Sequence, residues 1–277
     1  FTGTSAFLDN VSHGLQVNTY GALKAANLTA SGNGGGGFGY GAWLDNSGGP
    51  AASAVTLSGS SRFDGNRTGG LSLTSFGAVS VANLTAVGNE IFGASISNSG
   101  AGSAQKVTIS GTNVFRDNTT DGLYVQSRGA ISLSSVTALD NGQAGSGNGV
   151  ALWNSAATTP SAVSLTGVHR FLGNNAAGLL INAAGPVSVS SATASDNGTG
   201  VTFGGGVVIN NSYLSGGVTL SGTHAFVDNY GAGLSITSNG AISVSTLSAS
   251  GSASSQGVYL NNTGAGTTAP QNVTLTG

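Results

Sequence analysis

The sequence predicts an all-β protein, a right-handed parallel β-helix (β-solenoid) of about ten rungs, arranged as five double-rung repeats of about 55 residues. A rung is one coil of the chain around the solenoid axis. Three observations predict this fold: a motif Val-Thr/Ser-Leu/Ile-Ser/Thr-Gly that recurs along the chain, a glycine at one fixed place in every rung, and a regular alternation of phenylalanine with alanine. Because the repeats are continuous, we expect one domain over residues 1–277.

The recurring motif sets the period of the repeat. Its copies begin 52, 56, 55 and 55 residues apart, at Val55, Val107, Val163, Val218 and Val273. A second apolar alternation begins at Leu23, Val79, Ile131, Val187 and Ile242. In every complete repeat the second alternation begins 24 residues after the first motif. The distance from the second alternation to the next copy of the first motif varies from 28 to 32 residues. Constant spacing indicates a packed rung, and variable spacing indicates solvent-facing loops.

Two columns of residues fix the corners of each rung. A glycine precedes the last strand of every rung and predicts a positive φ or a close approach to neighbouring rungs. These glycines are Gly14, Gly41, Gly70, Gly93, Gly122, Gly149, Gly178, Gly206, Gly233 and Gly257. An asparagine ladder, in which stacked amides bond from rung to rung, is predicted at another corner. Its members are Asn10, Asn33, Asn66, Asn89, Asn118, Asn141, Asn174, Asn197 and Asn229, with Ser252 in the tenth rung.

A third column explains why the repeat contains two rungs. Three residues before each ladder position, phenylalanine alternates with alanine, because phenyl rings on successive rungs about 4.8 Å apart would be crowded. The predicted core stack is Phe7, Phe63, Phe115, Phe171 and Phe226. Strands with apolar residues at every second position flank this column, as in Val55 to Ser58, where Val55 and Leu57 point inward.

Composition excludes several classes of function. Only 6% of the residues are charged, against about 25% in an average soluble domain, so the surface consists of hydroxyls and amides. A net charge of −2 gives no electrostatic footprint for nucleic acid, and no apolar run is long enough to insert in a membrane. Cysteine is absent, and no cofactor or metal is expected.

The spacing Phe-x-x-Asn, followed four residues after the asparagine by Gly-Leu, recurs in every repeat, for example from Phe115 to Leu123. It resembles the FxxN repeats of polymorphic membrane proteins and, more loosely, haemagglutinin-like bacterial surface β-helices. The resemblance covers essentially the whole chain. It implies a secreted, extracellular or cell-surface location and a role as an adhesin passenger or a stalk.

The sequence contains few residues that could form a catalytic or metal-binding site. The outward positions of the Val-x-Leu strands are hydroxyls, with Lys24 as the exception, so no carboxylate pair is available there and a carbohydrate-active β-helix enzyme is disfavoured. This face is interpreted as a solvated surface rather than an ice- or glycan-binding one. His13, His169 and His224 are interpreted as turn or surface residues. The aspartates before ladder asparagines are interpreted as turn formers.

Four aromatic residues are candidate surface contacts, because exposed Trp and Tyr are typical of binding sites. They are Trp43, Trp153, Tyr124 and Tyr259. The alternative is that a loop covers them, such as the insert from Gly34 to Tyr40 above Trp43.

The sequence therefore predicts a structural repeat protein of an extracellular filament, stalk or sheath, and not an enzyme. Thr2-Gly3 and the segment 273–277 belong to the same motif, so the expected partners are copies of the chain stacked end to end or continuing repeats of the same chain. The alternative function is an adhesin that binds glycans through the loop aromatics.

Overall fold

The computed structural model describes residues 2–199, 204–214, 216–263 and 271–277, and within them the chain forms thirty short strands and no helix. The strands form three parallel sheets, A, B and C. Sheet A contains β1 (Ser5–Leu8), β4 (Leu28–Ser31), β7 (Ser61–Asp64), β10 (Leu84–Val87), β13 (Asn113–Arg116), β16 (Val136–Leu139), β19 (His169–Leu172), β22 (Ala192–Ser195), β25 (His224–Val227) and β28 (Leu247–Ser250). Sheet B contains β2 (Leu15–Asn18), β5 (Ala42–Asp45), β8 (Gly69–Thr74), β11 (Phe92–Ser97), β14 (Leu123–Gln126), β17 (Val150–Trp153), β20 (Leu179–Asn182), β23 (Val207–Asn211), β26 (Leu234–Ser238) and β29 (Val258–Asn261). Sheet C contains β3 (Leu23–Ala26), β6 (Val55–Ser58), β9 (Val79–Ala82), β12 (Val107–Ser110), β15 (Ile131–Ser134), β18 (Val163–Thr166), β21 (Val187–Val189), β24 (Val218–Leu220), β27 (Ile242–Ser245) and β30 (Val273–Thr276).

Each rung consists of three consecutive strands, one in sheet A, one in B and one in C, and every strand pairs with the strand three places along the chain. The described residues form ten rungs, numbered 1 to 10 from β1–β3 to β28–β30. The predicted parallel β-solenoid of about ten rungs is confirmed. At a strand separation of about 4.8 Å, the stack is roughly 48 Å long.

The core is filled by the inward residues of all three sheets. The phenyl rings of Phe63, Phe115, Phe171 and Phe226 are completely buried, and Ala86 and Ala138 lie opposite Phe115 in the neighbouring strands. The predicted alternation of phenylalanine and alanine is therefore present, and each ring occupies the space that two alanines leave.

The asparagine ladder is also confirmed and is continuous from Asn10 to Asn229. The Oδ1 atom of Asn141 accepts hydrogen bonds from the backbone N–H of Asn118 at 3.2 Å and from its Nδ2 at 2.9 Å. Asn141 in turn donates from Nδ2 to the Phe115 carbonyl at 3.1 Å and to Oδ1 of Asn174 at 2.9 Å. Since both polar atoms of the buried amide are satisfied, the ladder locks each rung to its neighbours without leaving an orphaned group.

Nine of the ten corner glycines are needed for close approach to the next rung, whereas a Cβ on Gly257 would make only ordinary contacts, the nearest at 3.5 Å. All ten are described, and none has a positive φ. A Cβ atom on Gly122 would lie 2.6 Å from the Gly149 carbonyl oxygen and 2.8 Å from the Phe115 Cβ. The left-handed conformation occurs instead at the residue before each ladder position, where every residue is Asp or Gly with φ between 51° and 70°. Five of the nine acidic residues, Asp9, Asp117, Asp140, Asp196 and Asp228, serve this turn.

A second polar corner follows sheet B and explains the alternation of long and short loops. In the even rungs an asparagine spans the base of the long loop, as when Nδ2 of Asn154 donates to the Ser161 carbonyl at 2.7 Å. Asn46, Asn98, Asn211 and Asn262 make equivalent bonds. In rungs 1, 3, 5 and 9 a hydroxyl closes a tight turn, as when Oγ of Ser127 accepts from the N–H of Gly129 at 3.0 Å, and in rung 7 Ala183 takes this position. Longer connections before and after sheet B, such as 32–41 and 46–54 in rung 2, lie at its two sides.

The prediction that His169 and His224 are turn or surface residues was wrong. Both are buried at inward positions of sheet A, paired with Ala192 between them. Nδ1 of His169 accepts from the N–H of Val136 at 3.4 Å, and in an earlier repeat Oδ1 of Asn113 accepts from the N–H of Leu84 at 3.0 Å. His169 thus supplies an acceptor for the first N–H of the preceding strand, whereas at His224 the equivalent N–H, that of Ala192, donates to the Thr223 carbonyl at 3.2 Å. Burial, and secondarily the neighbouring His224, lowers the pKa of His169 to about 4.

Candidate functional site

The three outer faces of the solenoid differ in chemistry. Sheet C presents two columns of hydroxyls, interrupted by Lys24 and by alanines in two early rungs. These hydroxyls bond one another or the backbone of the neighbouring rung, as between Ser188 and Ser164 at 3.0 Å. The hydroxyl face predicted from the sequence is therefore present on sheet C.

The outer face of sheet A combines arginines with half-buried aliphatic residues. One outward column runs through Val87, Arg116, Leu139 and Leu172 on successive strands. Arg116 forms an ion pair with Asp117 at 3.0 Å, and half of each side chain is exposed. Exposed pairs of this kind contribute little to stability, about 0–1 kcal/mol.

Sheet B carries all four aromatic residues predicted as surface contacts. Trp43, Tyr124 and Tyr259 occupy one outward column, in rungs 2, 5 and 10, and Trp153 lies in the neighbouring column of rung 6. At about 4.8 Å per rung, Trp43 is roughly 14 Å from Tyr124, and Tyr259 is farther still. The fold therefore does not bring the four together in one site. Trp153 differs from Trp43 because its indole N–H is buried and has no hydrogen-bond partner among the described residues.

Trp43 belongs instead to an aromatic cluster that comprises His13, Phe38, Tyr40, Trp43 and Phe92. The ring centroid of Trp43 lies 5.2 Å from that of His13 and 6.1 Å from that of Tyr40, and both contacts are edge-on. Tyr40 stacks on His13 at 5.4 Å. The ring of Phe38 is 53% exposed and packs edge-on against Tyr40 at 5.4 Å. The insert from Gly34 to Tyr40 thus packs beside Trp43 and leaves part of it exposed, and the cluster offers aromatic surface to solvent, mainly through Phe38.

The cluster follows from the residue that precedes each corner glycine. His13, Tyr40 and Phe92 occupy this position in rungs 1, 2 and 4, and Gly69 occupies it in rung 3. The missing side chain of Gly69 lets Phe92 approach Tyr40 to 5.8 Å, since a Cβ at Gly69 would lie 2.5 Å from the Phe92 ring. The N–H of Tyr40 donates to Nδ1 of His13 at 3.0 Å, which fixes the stack.

A polar cleft of about 280 Å³ lies on the other side of Trp43, and we call it the corner cleft. It is lined by Asn18, Thr19, Tyr20, Asp45 and Gly48. Trp43 and Asp45 alternate on β5 and both point outward, with their Cα atoms about 6.6 Å apart. The Oδ1 atom of Asp45 accepts from the N–H and hydroxyl of Ser47 at 2.8 and 2.6 Å. The ring of Tyr20, which is 72% exposed, borders the cleft opposite the aromatic cluster.

Beyond Phe92, the residues that directly precede the corner glycines are polar: Asp121 in rung 5 and Asn148 in rung 6. Asp121 accepts hydrogen bonds from the backbone N–H and Nδ2 of Asn148 at 2.6 and 3.0 Å. Burial raises the pKa of Asp121, despite these bonds. Burial, and then the charge of Asp121, raises the pKa of Tyr124. Tyr124 therefore lies beside a half-buried carboxylate and keeps its proton at neutral pH.

Comparisons with protein-family models, with curated proteins and with solved structures give no match for this chain. In the part of the chain that the structure describes, three or more potential metal ligands never come together. Within the same residues there is no helix long and apolar enough to cross a membrane.

Sequence reasoning identified Trp43 but missed the residues that surround it. A signal for His13, Tyr40 and Phe92 existed, because each directly precedes a corner glycine and so shares one column. Asp45 and Tyr20 carried no such signal, since their proximity depends on the loop path after β2 and β5. The second polar corner was also missed, although Asn followed by Ser or Thr recurs at Asn46, Asn154 and Asn262.

Proposed function

We propose that the chain is a structural repeat segment of an extracellular or cell-surface filament, stalk or sheath. The observation that carries this proposal is the unbroken asparagine ladder, which links nine consecutive rungs through side-chain bonds of 2.7 to 3.0 Å. A ladder of this kind resists bending and shear along the whole stack, because every rung is bonded to the next on the same line. A rigid, regular rod is what a filament or stalk requires.

Within the described stack each rung covers the next in one register, as where Ile242 and Val244 of β27 are buried and lie opposite Val273 and Leu275 of β30. Copies of the chain stacked end to end, or continuing repeats of the same chain, would pair in the same way.

Immunogold electron microscopy of intact source cells tests this function. Antibodies raised against the exposed long loop 98–106 should label filaments, stalks or a sheath outside the cells without permeabilisation. Label that appears only inside permeabilised cells, or only on compact particles, would contradict the proposal. A loop two rungs away, 46–54 in rung 2, gives an independent antibody that should produce the same pattern.

A second candidate function, adhesion, is favoured by the difference between the faces. Sheet A presents arginines and aliphatic side chains and sheet C presents hydroxyls, whereas sheet B combines partly exposed aromatic rings with a polar cleft. Exposed aromatics beside a cleft are typical of binding sites. Adhesion is compatible with the rod, because a stalk commonly presents its own contacts.

A further inference from the structure

We infer that rungs 1 and 2 of sheet B form a carbohydrate-binding site for neutral glycans, centred on Trp43 and Asp45. The inference deepens the adhesive function and rests on it, but it does not depend on whether the rod forms filaments. Its parts are the aromatic cluster on one side, the corner cleft on the other, and β5 between them.

The geometry suits a sugar because aromatic and polar groups alternate over short distances. A pyranose ring has an apolar face of C–H groups, which packs on an aromatic ring, and an equatorial edge of hydroxyls, which needs hydrogen-bonding partners. Trp43 offers a partly exposed ring, and the exposed Phe38 of the insert adds aromatic surface to the same cluster. Asp45 lies two residues from Trp43 on the same face and contributes a carboxylate to the cleft. A sugar stacked on Trp43 would therefore place its hydroxyls within reach of Asp45.

The remaining cleft residues supply complementary donors and acceptors. The amide of Asn18 is exposed and outward, directly opposite Asp45 in the pairing of β2 with β5. Thr19 uses its hydroxyl to accept from the N–H of Gly21 at 3.2 Å, and so fixes the turn that carries Tyr20. The exposed Tyr20 ring packs over Gly48, where a Cβ would lie 2.8 Å from it. The cleft thus has one flexible amide, one fixed carboxylate and a second aromatic wall.

Electrostatics select neutral sugars over acidic ones. The ten residues of the aromatic cluster and the corner cleft include the carboxylate of Asp45 and no lysine or arginine. Burial lowers the pKa of His13, so this ring is uncharged at neutral pH. An acidic glycan would bring its carboxylate to Asp45 without a compensating cation, which is unfavourable. A neutral chain of hexoses or N-acetylhexosamines meets no such repulsion.

Isothermal titration of the full chain with cellohexaose, chitohexaose and xylohexaose tests the inference, with hexagalacturonate as the acidic comparison. At least one neutral hexamer should bind, and the acidic one should bind about tenfold more weakly or not at all. Trp43→Ala should weaken neutral binding by about tenfold or more. Trp153→Ala, the matched tryptophan on rung 6 of the same sheet, should leave the affinity within about twofold. Circular dichroism would establish that both variants keep the solenoid.

A fluorescence titration of Trp153→Phe adds a readout that a folding defect would not produce. Trp43 is then the single tryptophan, and a bound sugar should blue-shift its emission and shield it from acrylamide. The inference is overturned if no neutral hexamer binds, if Trp43→Ala binds as well as the unaltered chain, or if Trp153→Ala loses as much affinity. Self-association that is abolished by Trp43→Ala in sedimentation would also overturn it, since the cluster would then bind a second copy. None of these outcomes bears on the immunogold test of the rod.

Discussion

Replacing Asn118 with alanine should destabilise the solenoid more than any surface substitution, because this side chain sits in the middle of the ladder. Its Oδ1 atom accepts from the N–H of Asn89 at 3.1 Å and from Nδ2 of Asn89 at 2.9 Å. Its own Nδ2 donates to the Ala86 carbonyl at 3.2 Å and to Oδ1 of Asn141 at 2.9 Å. The substitution removes all four bonds in a site that is fully buried.

The magnitude follows from which groups lose their only partner. The buried N–H of Asn89 is left without an acceptor, which costs about 1–3 kcal/mol. Nδ2 of Asn89 still donates to the Phe63 carbonyl, and Oδ1 of Asn141 still accepts from the N–H of residue 118. The other lost bonds contribute about 0.5–1.5 kcal/mol each. We therefore expect the free energy of unfolding to fall by roughly 2.5–7.5 kcal/mol.

Urea unfolding followed by far-ultraviolet circular dichroism measures this change, with hydrogen exchange to locate it. Because rungs interact mainly with their neighbours, protection should fall first in rungs 4 to 6 and less towards the ends. Asn272→Ala is the control, since this asparagine is exposed and its removal should change stability by less than about 0.5 kcal/mol. A loss below about 0.5 kcal/mol for Asn118→Ala, or an equal loss for the control, would refute the structural role of the ladder.

Three further predictions address other parts of the fold. The pKa of His169 is about 4 in the folded protein and near 6.5 in the unfolded chain, so the unfolded chain takes up the proton first as the pH falls. The contribution of neutral His169 to the free energy of unfolding should therefore be complete above pH 6.5 and fall by roughly 3 kcal/mol as the pH drops to 4. His169→Asn, which copies Asn113, should reduce the pH dependence in urea titrations to the part that the buried His224 contributes, and an unchanged slope would contradict the assignment. Gly122→Ala should destabilise the protein by about 1–3 kcal/mol and so lower its melting temperature. Gly35→Ala should not, because a Cβ at Gly35 would have no atom within 4 Å. Equal melting temperatures of the two variants would argue against close packing at the corner. Asn98→Ala removes the hydrogen bond from Nδ2 to the Gln105 carbonyl and should accelerate tryptic cleavage after Lys106. Ser103→Ala, in the same loop, should leave the cleavage rate unchanged. Identical cleavage rates for the two variants would show that Asn98 does not anchor the loop.

The sequence was sufficient to predict the fold because the solenoid repeats one local environment ten times. Each column, such as the ladder that contains Asn118 or the stack that contains Phe115, reports the same packing constraint at a known spacing. The buried histidines escaped prediction for a related reason. His169 replaces Ser61 and Asn113 in a column whose members accept a hydrogen bond from a backbone N–H, and this feature is not visible as a residue type. His224 occupies the same column without making such a bond, so its burial follows from the inward position alone.

The candidate site could be predicted only in part, because it departs from the repeat. Trp43 stood out as an outward aromatic, but Phe38 and Tyr40 lie in an insert of rung 2, and the insert of equal length in rung 6 has no aromatic residue. Whether this insert covers Trp43 or packs beside it depends on the His13 and Gly34 contacts, which no periodicity encodes. Asp45 also reads as an ordinary strand-end residue until the turn at Tyr20 closes the cleft beside it.

Excising whole rungs tests the central claim, that two rungs form the packing unit of the solenoid. Deleting residues 107–162 removes two rungs, so that Val163 follows Lys106 and Phe171 stacks on Ala86. This shortened protein should still unfold cooperatively in urea and keep a native-like circular dichroism spectrum. Deleting residues 107–130 removes one rung, so Ala138 stacks on Ala86 without a phenyl ring between them, and we expect a loss of about 3–5 kcal/mol relative to the longer deletion. Equal stability of the two deletions, or greater stability of the shorter one, would contradict the account.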